Sequence, residues 1–240
     1  MKIAVLGDIH SNLFAFHAVG RRIEAAGVDR VYSVGDIVGY YAHPSECVNL
    51  VRRFCHGVVA GNHDWGLIGR LDLDLFSPSA AEALQWSEEH LRAEDIEYLE
   101  DLPLTFVDDG VTVVHSMPSN PEEFPYVFAE HDMREEFAAV DTPITFVGHT
   151  HHPTVFRENG ENEEIVEGTF DLSDCGKTIV NVGSIGQPRD GDPRAPYAIY
   201  DTETRVLEIT RVEYDLRKTI ARVSATNLPS ILADRLRLGK

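Results

Sequence analysis

The chain has 240 residues, 43% of them hydrophobic and 25% charged, enough to bury a substantial core in one large domain spanning 1–240. Forty acidic residues against 21 basic ones give a formal net charge of −19 at pH 7, a surface that repels polyanions and argues against a nucleic acid polymer as partner. No apolar run reaches the roughly 18–20 residues that span a bilayer, the apolar start Met1–Leu6 is too short for a secretory signal, and the cysteines Cys47, Cys55 and Cys175 are an odd set without paired spacing. The expectation is a cytoplasmic protein with no membrane contact and no disulfide framework.

Lys2–Leu6 reads as a short buried strand ending at Gly7-Asp8. From Asn12 to about Ala26, Leu13, Phe14, Phe16, Val19 and Ile23 recur at helical spacing, and Gly27 ends the helix. Val31–Val34 is a second apolar run ending at Gly35-Asp36, Pro44–Phe54 is helical, and Val58–Ala60 is a third strand ending at Gly61-Asn62. Strand and helix thus alternate over the first third, the pattern of βαβ units with a mainly parallel sheet. Helices are predicted over Ser79–Leu91 and Ala93–Leu99. After Pro103 the chain turns strand-rich, with strands predicted at Val111–His115, Ile144–Val147, Thr154–Phe156, Thr178–Val182, Tyr197–Tyr200 and Arg205–Tyr214. The acidic stretch Glu158–Cys175 reads as an exposed hairpin region, and Asp215–Leu238 as helix broken near Pro229.

The polar residues at the strand ends carry the chemistry. Gly7-Asp8-Ile9-His10, Gly35-Asp36, Gly61-Asn62-His63-Asp64, Val114-His115 and Gly148-His149-Thr150-His151 each follow a predicted strand. Ligands collect outside the carboxyl ends of strands in open α/β sheets, so these segments offer Asp, Asn and His towards one crevice. Imidazole, carboxylate and amide donors without thiolate suit borderline divalent metals. Two such metals roughly 3.5–4 Å apart clamp a phosphoryl group and lower the pKa of a bound water. A single Gly-Asp-x-His is no more than a capped turn; the set together is a site.

In order and spacing these segments resemble the calcineurin-like metallophosphoesterases over about the first 150 residues. The resemblance implies an α/β (α+β) fold, a four-layer αββα sandwich of two facing mixed sheets, and a metal-dependent hydrolase of phosphate esters or anhydrides. It implies two divalent metal ions (Mn, Fe, Zn, Co or Ni), one held by Asp8, His10 and His151, the other by Asn62, His115 and His149, with Asp36 bridging. His63 would be the catalytic acid or transition-state stabiliser, oriented by Asp64, while Asn62, His63 and Arg189 would contact substrate. A second segment, Asn181-Val182-Gly183-Ser184-Ile185-Gly186-Gln187-Pro188-Arg189-Asp190-Gly191-Asp192-Pro193-Arg194, resembles the signature of bacterial diadenosine tetraphosphatase-like phosphodiesterases. The implied partner is a small phosphorylated substrate, with dinucleoside polyphosphates in view and other small organic phosphates as the alternative. A catalytically silent scaffold would have shed ligands, whereas all seven and His63 are present.

Other residues have plainer readings. His152 reads as a loop histidine, His43 and Tyr40 as turn packing or pocket lining, and His17, His56, His90 and His131 stand outside any motif. For Arg189 and Arg194 the rival to phosphate binding is an ion pair with Asp190, Asp192 or Asp201.

Overall fold

The computed structural model describes residues 1–240. Its strands are β1 (Lys2–Leu6), β2 (Arg30–Ser33), β3 (Gly57–Val58), β4 (Thr105–Asp108), β5 (Val111–Val114), β6 (Ile144–Val147), β7 (Thr154–Arg157), β8 (Glu163–Glu164), β9 (Gly168–Asp171), β10 (Thr178–Asn181), β11 (Ala195–Asp201) and β12 (Val206–Val212). The helices are α1 (Leu13–Ala26), α2 (Pro44–Phe54), α3 (Asn62–Leu67), α4 (Pro78–Glu88), α5 (Ala93–Glu100), α6 (Arg134–Ala138), α7 (Leu216–Ser224) and α8 (Ile231–Leu238).

Two six-stranded sheets form, in the orders β3-β2-β1-β11-β12-β9 and β4-β5-β6-β10-β7-β8. Each contains a parallel trio: β3, β2 and β1 along one edge of the first sheet, continued by antiparallel β11, and β5, β6 and β10 in the middle of the second, flanked by antiparallel β4 and β7. The sheets are therefore mixed and face each other. Ile3 and Val5 of β1 point into a shared core with Phe146 of β6 and Val180 of β10. The alternate residues Ala4 and Leu6 pack under α1 and α2 with Phe16, Val19 and Val48. With both faces covered, the central strands read as unbroken apolar runs. On the outer face of the second sheet Ile179, Val147 and Phe156 meet Phe137 of α6. The result is the four-layer αββα order, with a thin outer layer on that side.

Local chemistry sets the helix ends. The Asn12 side chain caps α1 by accepting from Ala15 N at 3.3 Å, and Gly27 ends it at φ 63°. Ser77 caps α4 ahead of Pro78 at its first position, and α2 also opens on a proline, Pro44.

Several elements depart from the sequence expectation. Residues 158–175 form a hairpin only in part: β8 turns back to pair antiparallel with β7 at the edge of one sheet, whereas β9 pairs with β12 at the edge of the other. That stretch crosses between the sheets and closes their shared core with Ile165 and Leu172. The strand β4 was not expected; its alternating exposed and half-buried pattern belongs to an edge strand, which lacks a long apolar run. The short helices α3 and α6 have six and five residues, too few to display helical periodicity. No helix is long and apolar enough to cross a membrane.

Phe146 is fully buried between the sheets, with its ring 5.9 Å from that of Tyr200 across the interface. Phe146→Ala is expected to cost about 3–5 kcal/mol of folding stability, read as a lowered midpoint with unchanged slope in chemical denaturation.

Candidate metal centre

The site lies where both parallel trios end. Asp8 and His10 follow β1, Asp36 follows β2, Asn62 and His63 open α3 after β3, His115 follows β5, and His149 and His151 follow β6. All of the sequence-predicted site residues converge there except Asp64, which does something else. Asp8, His10, Asp36 and His151 each offer a donor atom within 4.8 Å of the others, and all four are buried.

Turning the chain sharply out of the strand ends strains it after β1, β2 and β6. His10, Asp36, His149 and His151 adopt left-handed backbone at φ 48°, 50°, 68° and 64°, as do Ser11 and Tyr40. Each such residue costs roughly 1–2 kcal/mol, so the surrounding structure must over-determine them. Two glycines make the turns fit. A Cβ on Gly61 would lie 2.1 Å from Asp36 Oδ1, and one on Gly148 would lie 2.4 Å from Asp8 Oδ2.

Backbone carbonyls fix the imidazole orientations. His10 Nδ1 donates to Val38 O at 3.0 Å, His115 Nδ1 to Val34 O at 2.7 Å, and His151 Nδ1 to Gln187 O at 2.6 Å. With that proton placed, each Nε2 is a bare lone pair aimed into the site. His10 Nε2 and His151 Nε2 then stand 3.1 Å apart, acceptor against acceptor. His115 Nε2 faces Asn62 Oδ1 at 3.1 Å in the same way. Asp36 Oδ2 lies between the two pairs, 3.5 Å from both His10 Nε2 and His115 Nε2. Asp8 Oδ1 is 3.5 Å from His151 Nε2 and accepts the His149 amide at 3.0 Å. Asp8 Oδ2 and His149 Nε2 are buried with no partner. A pocket of converging lone pairs with orphaned donor atoms fits divalent cations.

Electrostatics point the same way. Burial, reinforced by neighbouring charges, holds His10, His63 and His149 well below the ordinary imidazole pKa, and burial with Arg189 nearby lowers His151 to about 4. Burial also lowers His115. These rings are neutral near pH 7, the state a metal needs. Burial and the charges of Asp8 and Asp64 push the Asp36 carboxyl up. Burial would raise Asp8 too, but His151 and His115 beside it hold its carboxyl low.

Asp64 corrects an expectation. Its carboxylate does not touch the His63 ring. Oδ1 accepts from Ile37 N at 3.0 Å and Val38 N at 3.3 Å, and Oδ2 accepts from Gly61 N at 3.0 Å. Burial lifts its pKa to about 7 against the pull of those amides. Asp64 thus ties the Asp36 loop to the start of α3. His63 is held by aromatic rings, with centroids 4.6 Å from His10 and from Tyr40 and 5.2 Å from the Phe76 ring, and its buried Nδ1 has no partner.

The segment after β10 packs on the site from behind. Gly186 N and Ser184 Oγ both donate to Asp8 O, at 2.8 and 2.9 Å. Asn181 Nδ2 donates to Gly148 O and to Thr150 Oγ1. Arg194 pairs with Asp192 and Glu167, and Asp190 with Arg211, which leaves Arg189 without a carboxylate. Arg189 instead donates to the Tyr40 hydroxyl at 3.0 Å. His152 packs beside Phe128 and His43 beside Phe14, both outside the cluster.

A cavity of about 320 Å³ opens in front of Asn62, His63 and His149, walled by Leu71, Leu75, Phe76, Phe124 and Tyr126, with Arg189 and Arg235 on its rim. Phe124, Tyr126 and Arg235 escaped the sequence reading. They lie in a loop without motif and in the last helix, and only folding brings them to the site.

Comparison with known proteins agrees with this geometry. A metallophosphoesterase from Sphaerobacter thermophilus superposes with a TM-score of 0.88 at 43% identity, over 100% of this chain and 99% of that one. An uncharacterized protein of Methanocaldococcus jannaschii is 40% identical over 99% of this chain and 98% of its own length. A hypothetical protein from Pyrococcus horikoshii shares the fold, with a TM-score of 0.81 at 24% identity over 100% of this chain and 98% of that one. The family description matching residues 1–205 is the calcineurin-like phosphoesterase superfamily domain, and the chain belongs to that family of metal-dependent phosphoesterases.

Proposed function

We propose that residues 1–240 form one catalytic domain that hydrolyses small phosphate esters and anhydrides with two divalent metals, dinucleoside polyphosphates among its substrates. The observation that carries this reading is the pair of acceptor-against-acceptor contacts, His10 with His151 and His115 with Asn62, joined through Asp36 Oδ2. Asp8, His10 and His151 would hold one metal and Asn62, His115 and His149 the other, with Asp36 available to both. Manganese, iron, zinc, cobalt and nickel all accept such ligands. Bound metals supply Lewis-acid polarisation of the phosphoryl group and an acidified water.

The chain's own residues do the rest. Asn62 lies at the junction of cluster and cavity, where its amide orients a phosphoryl oxygen. The His63 ring lines the cavity beside it and hydrogen-bonds or protonates the leaving oxygen. Arg189 meets the developing charge with a guanidinium that no carboxylate neutralises. Asp64 positions, through backbone amides, the loop that carries Asp36. The apolar wall takes the organic part of the substrate. The volume suits a small molecule, in keeping with the acidic surface that disfavours polymers.

Metal-stripped protein resupplied with manganese is expected to cleave diadenosine tetraphosphate, with the anhydride bond read from the products. Cleavage of bis(p-nitrophenyl) phosphate alone would instead favour a general diesterase of other small organic phosphates. His63→Ala is expected to retain its metal by elemental analysis and to lose about 10²–10⁴-fold in turnover; full activity in that variant refutes the role. Adding manganese to about 100 times its dissociation constant stabilises the fold by about 2.7 kcal/mol per site, a rise of roughly 5–10 °C in melting temperature. Asp36→Asn is expected to abolish most of that rise in differential scanning calorimetry.

A further inference from the structure

Arg189 and Arg235 reach the cavity from distant parts of the chain. Arg189 comes from the loop after β10, and Arg235 from α8, beyond the residues 1–205 that match the family. Both lie against one ring, their guanidinium carbons 5.9 and 6.0 Å from the centroid of Tyr40. That ring also lies 4.5 Å from His10 and 4.6 Å from His63. Tyr40 therefore stands between the metal-ligand cluster and the two cations. Arg189 is the inner one: its loop also carries Gln187, whose carbonyl accepts from His151 Nδ1 at 2.6 Å. Arg235 is the outer one, on α8.

Arg189 has no carboxylate partner: it donates to the Tyr40 hydroxyl and to Gln187 Oε1 at 3.4 Å, and its Nε is buried without an acceptor. Arg235 pairs with no Asp or Glu side chain, and its Nε donates to the main-chain oxygen of Lys240, the last residue of the sequence, at 3.0 Å. Glu123, the one carboxylate on the cavity lining, is exposed and bonded to neither. Nearby arginines are neutralised: Arg194 by Asp192, Arg211 by Asp190, and Arg237 by Asp234. Two guanidiniums thus flank one ring beside the cavity. Their mutual repulsion is relieved by an anion held between them, and guanidinium forks match phosphate oxygens.

We infer that Arg189, Arg235 and the face of Tyr40 form a subsite for a second phosphate, one anhydride link beyond the phosphoryl group at the metal-ligand cluster. The substrate class is then a phosphoanhydride chain, and α8 supplies the residue that selects it over a lone phosphate ester. This rests on reading the cluster as the phosphoryl site.

The test titrates manganese-loaded protein calorimetrically with methylphosphonate and with methylenediphosphonate, a hydrolysis-resistant pair of linked phosphates. Wild type is expected to bind the diphosphonate more tightly. Arg235→Gln is expected to weaken the diphosphonate about tenfold more than it weakens methylphosphonate, and Arg235→Lys to recover part of the difference. Arg237→Gln, on the same helix but exposed and paired with Asp234, serves as the control and is expected to match wild type. Equal weakening of both ligands in Arg235→Gln, or weakening of neither, overturns the subsite. Manganese content and turnover of bis(p-nitrophenyl) phosphate in the same preparations report separately on the phosphoryl site. Protein that binds no manganese refutes the reading beneath the inference; active, loaded protein indifferent to Arg235→Gln refutes the subsite alone.

Discussion

His10 and His151 each donate their Nδ1 proton to a backbone carbonyl, and what remains of each ring is a lone pair aimed at the other from 3.1 Å away. Such a contact between buried side chains is repulsive and is relieved by a cation among the donors. The same holds for His115 and Asn62, with Asp36 between the two pairs. The site is thus assembled against its own electrostatics. Packing and backbone hydrogen bonds have to hold it, because side-chain attraction does not.

That requirement explains the architecture around it. Two facing sheets bring the ends of two parallel trios to one place, so donors far apart in sequence meet without long loops. The left-handed backbone at His10, Asp36, His149 and His151 is stored strain. It is fixed by bonds between loops: the Asp36 carbonyl accepts from the amides of Ile9 and His10, Asp64 accepts from Ile37, Val38 and Gly61, and Gly186 and Ser184 bond to Asp8. The segment after β10 belongs to this scaffold as much as the donor loops do. Each loop is braced by another, so disruption of one propagates to donors it does not carry.

How legible all this was depends on length scale. Short-range grammar carried the strands that end in Gly-Asp, the capped helix α1 and the proline-opened α2 and α4, because the signals lie within a few residues of the element. The donor loops were legible because a glycine and a donor side by side at a strand end have few other uses. The hairpin of β4 and β5 was missed although its signal was present: Asp109-Gly110 takes φ 45° and 77°, the two-residue turn that hairpins prefer. Residues 158–175 misled in part, beyond the turn into β8, for the opposite reason. Their acidic composition suits a solvated hairpin, while Ile165 and Leu172 are committed to the core between the sheets. Asp64 was read through its neighbour His63, yet its carboxylate serves backbone amides, and nothing in a linear motif distinguishes the two. Arg235 was out of reach, since only the packing of α8 beside Tyr40 and Tyr41 gives it a place in the site.

A net charge of −19 and a phosphoesterase site look opposed, but they act at different ranges. The acidic surface is felt over roughly a Debye length, about 8 Å at physiological ionic strength, and disfavours any bare polyanion that must lie along it. Inside the cavity the balance reverses, because Glu123 is the one carboxylate on its lining and the guanidiniums of Arg189 and Arg235 pair with no Asp or Glu side chain. A small phosphate that arrives partly neutralised by a divalent cation crosses the first region cheaply and gains charge-assisted bonds in the second.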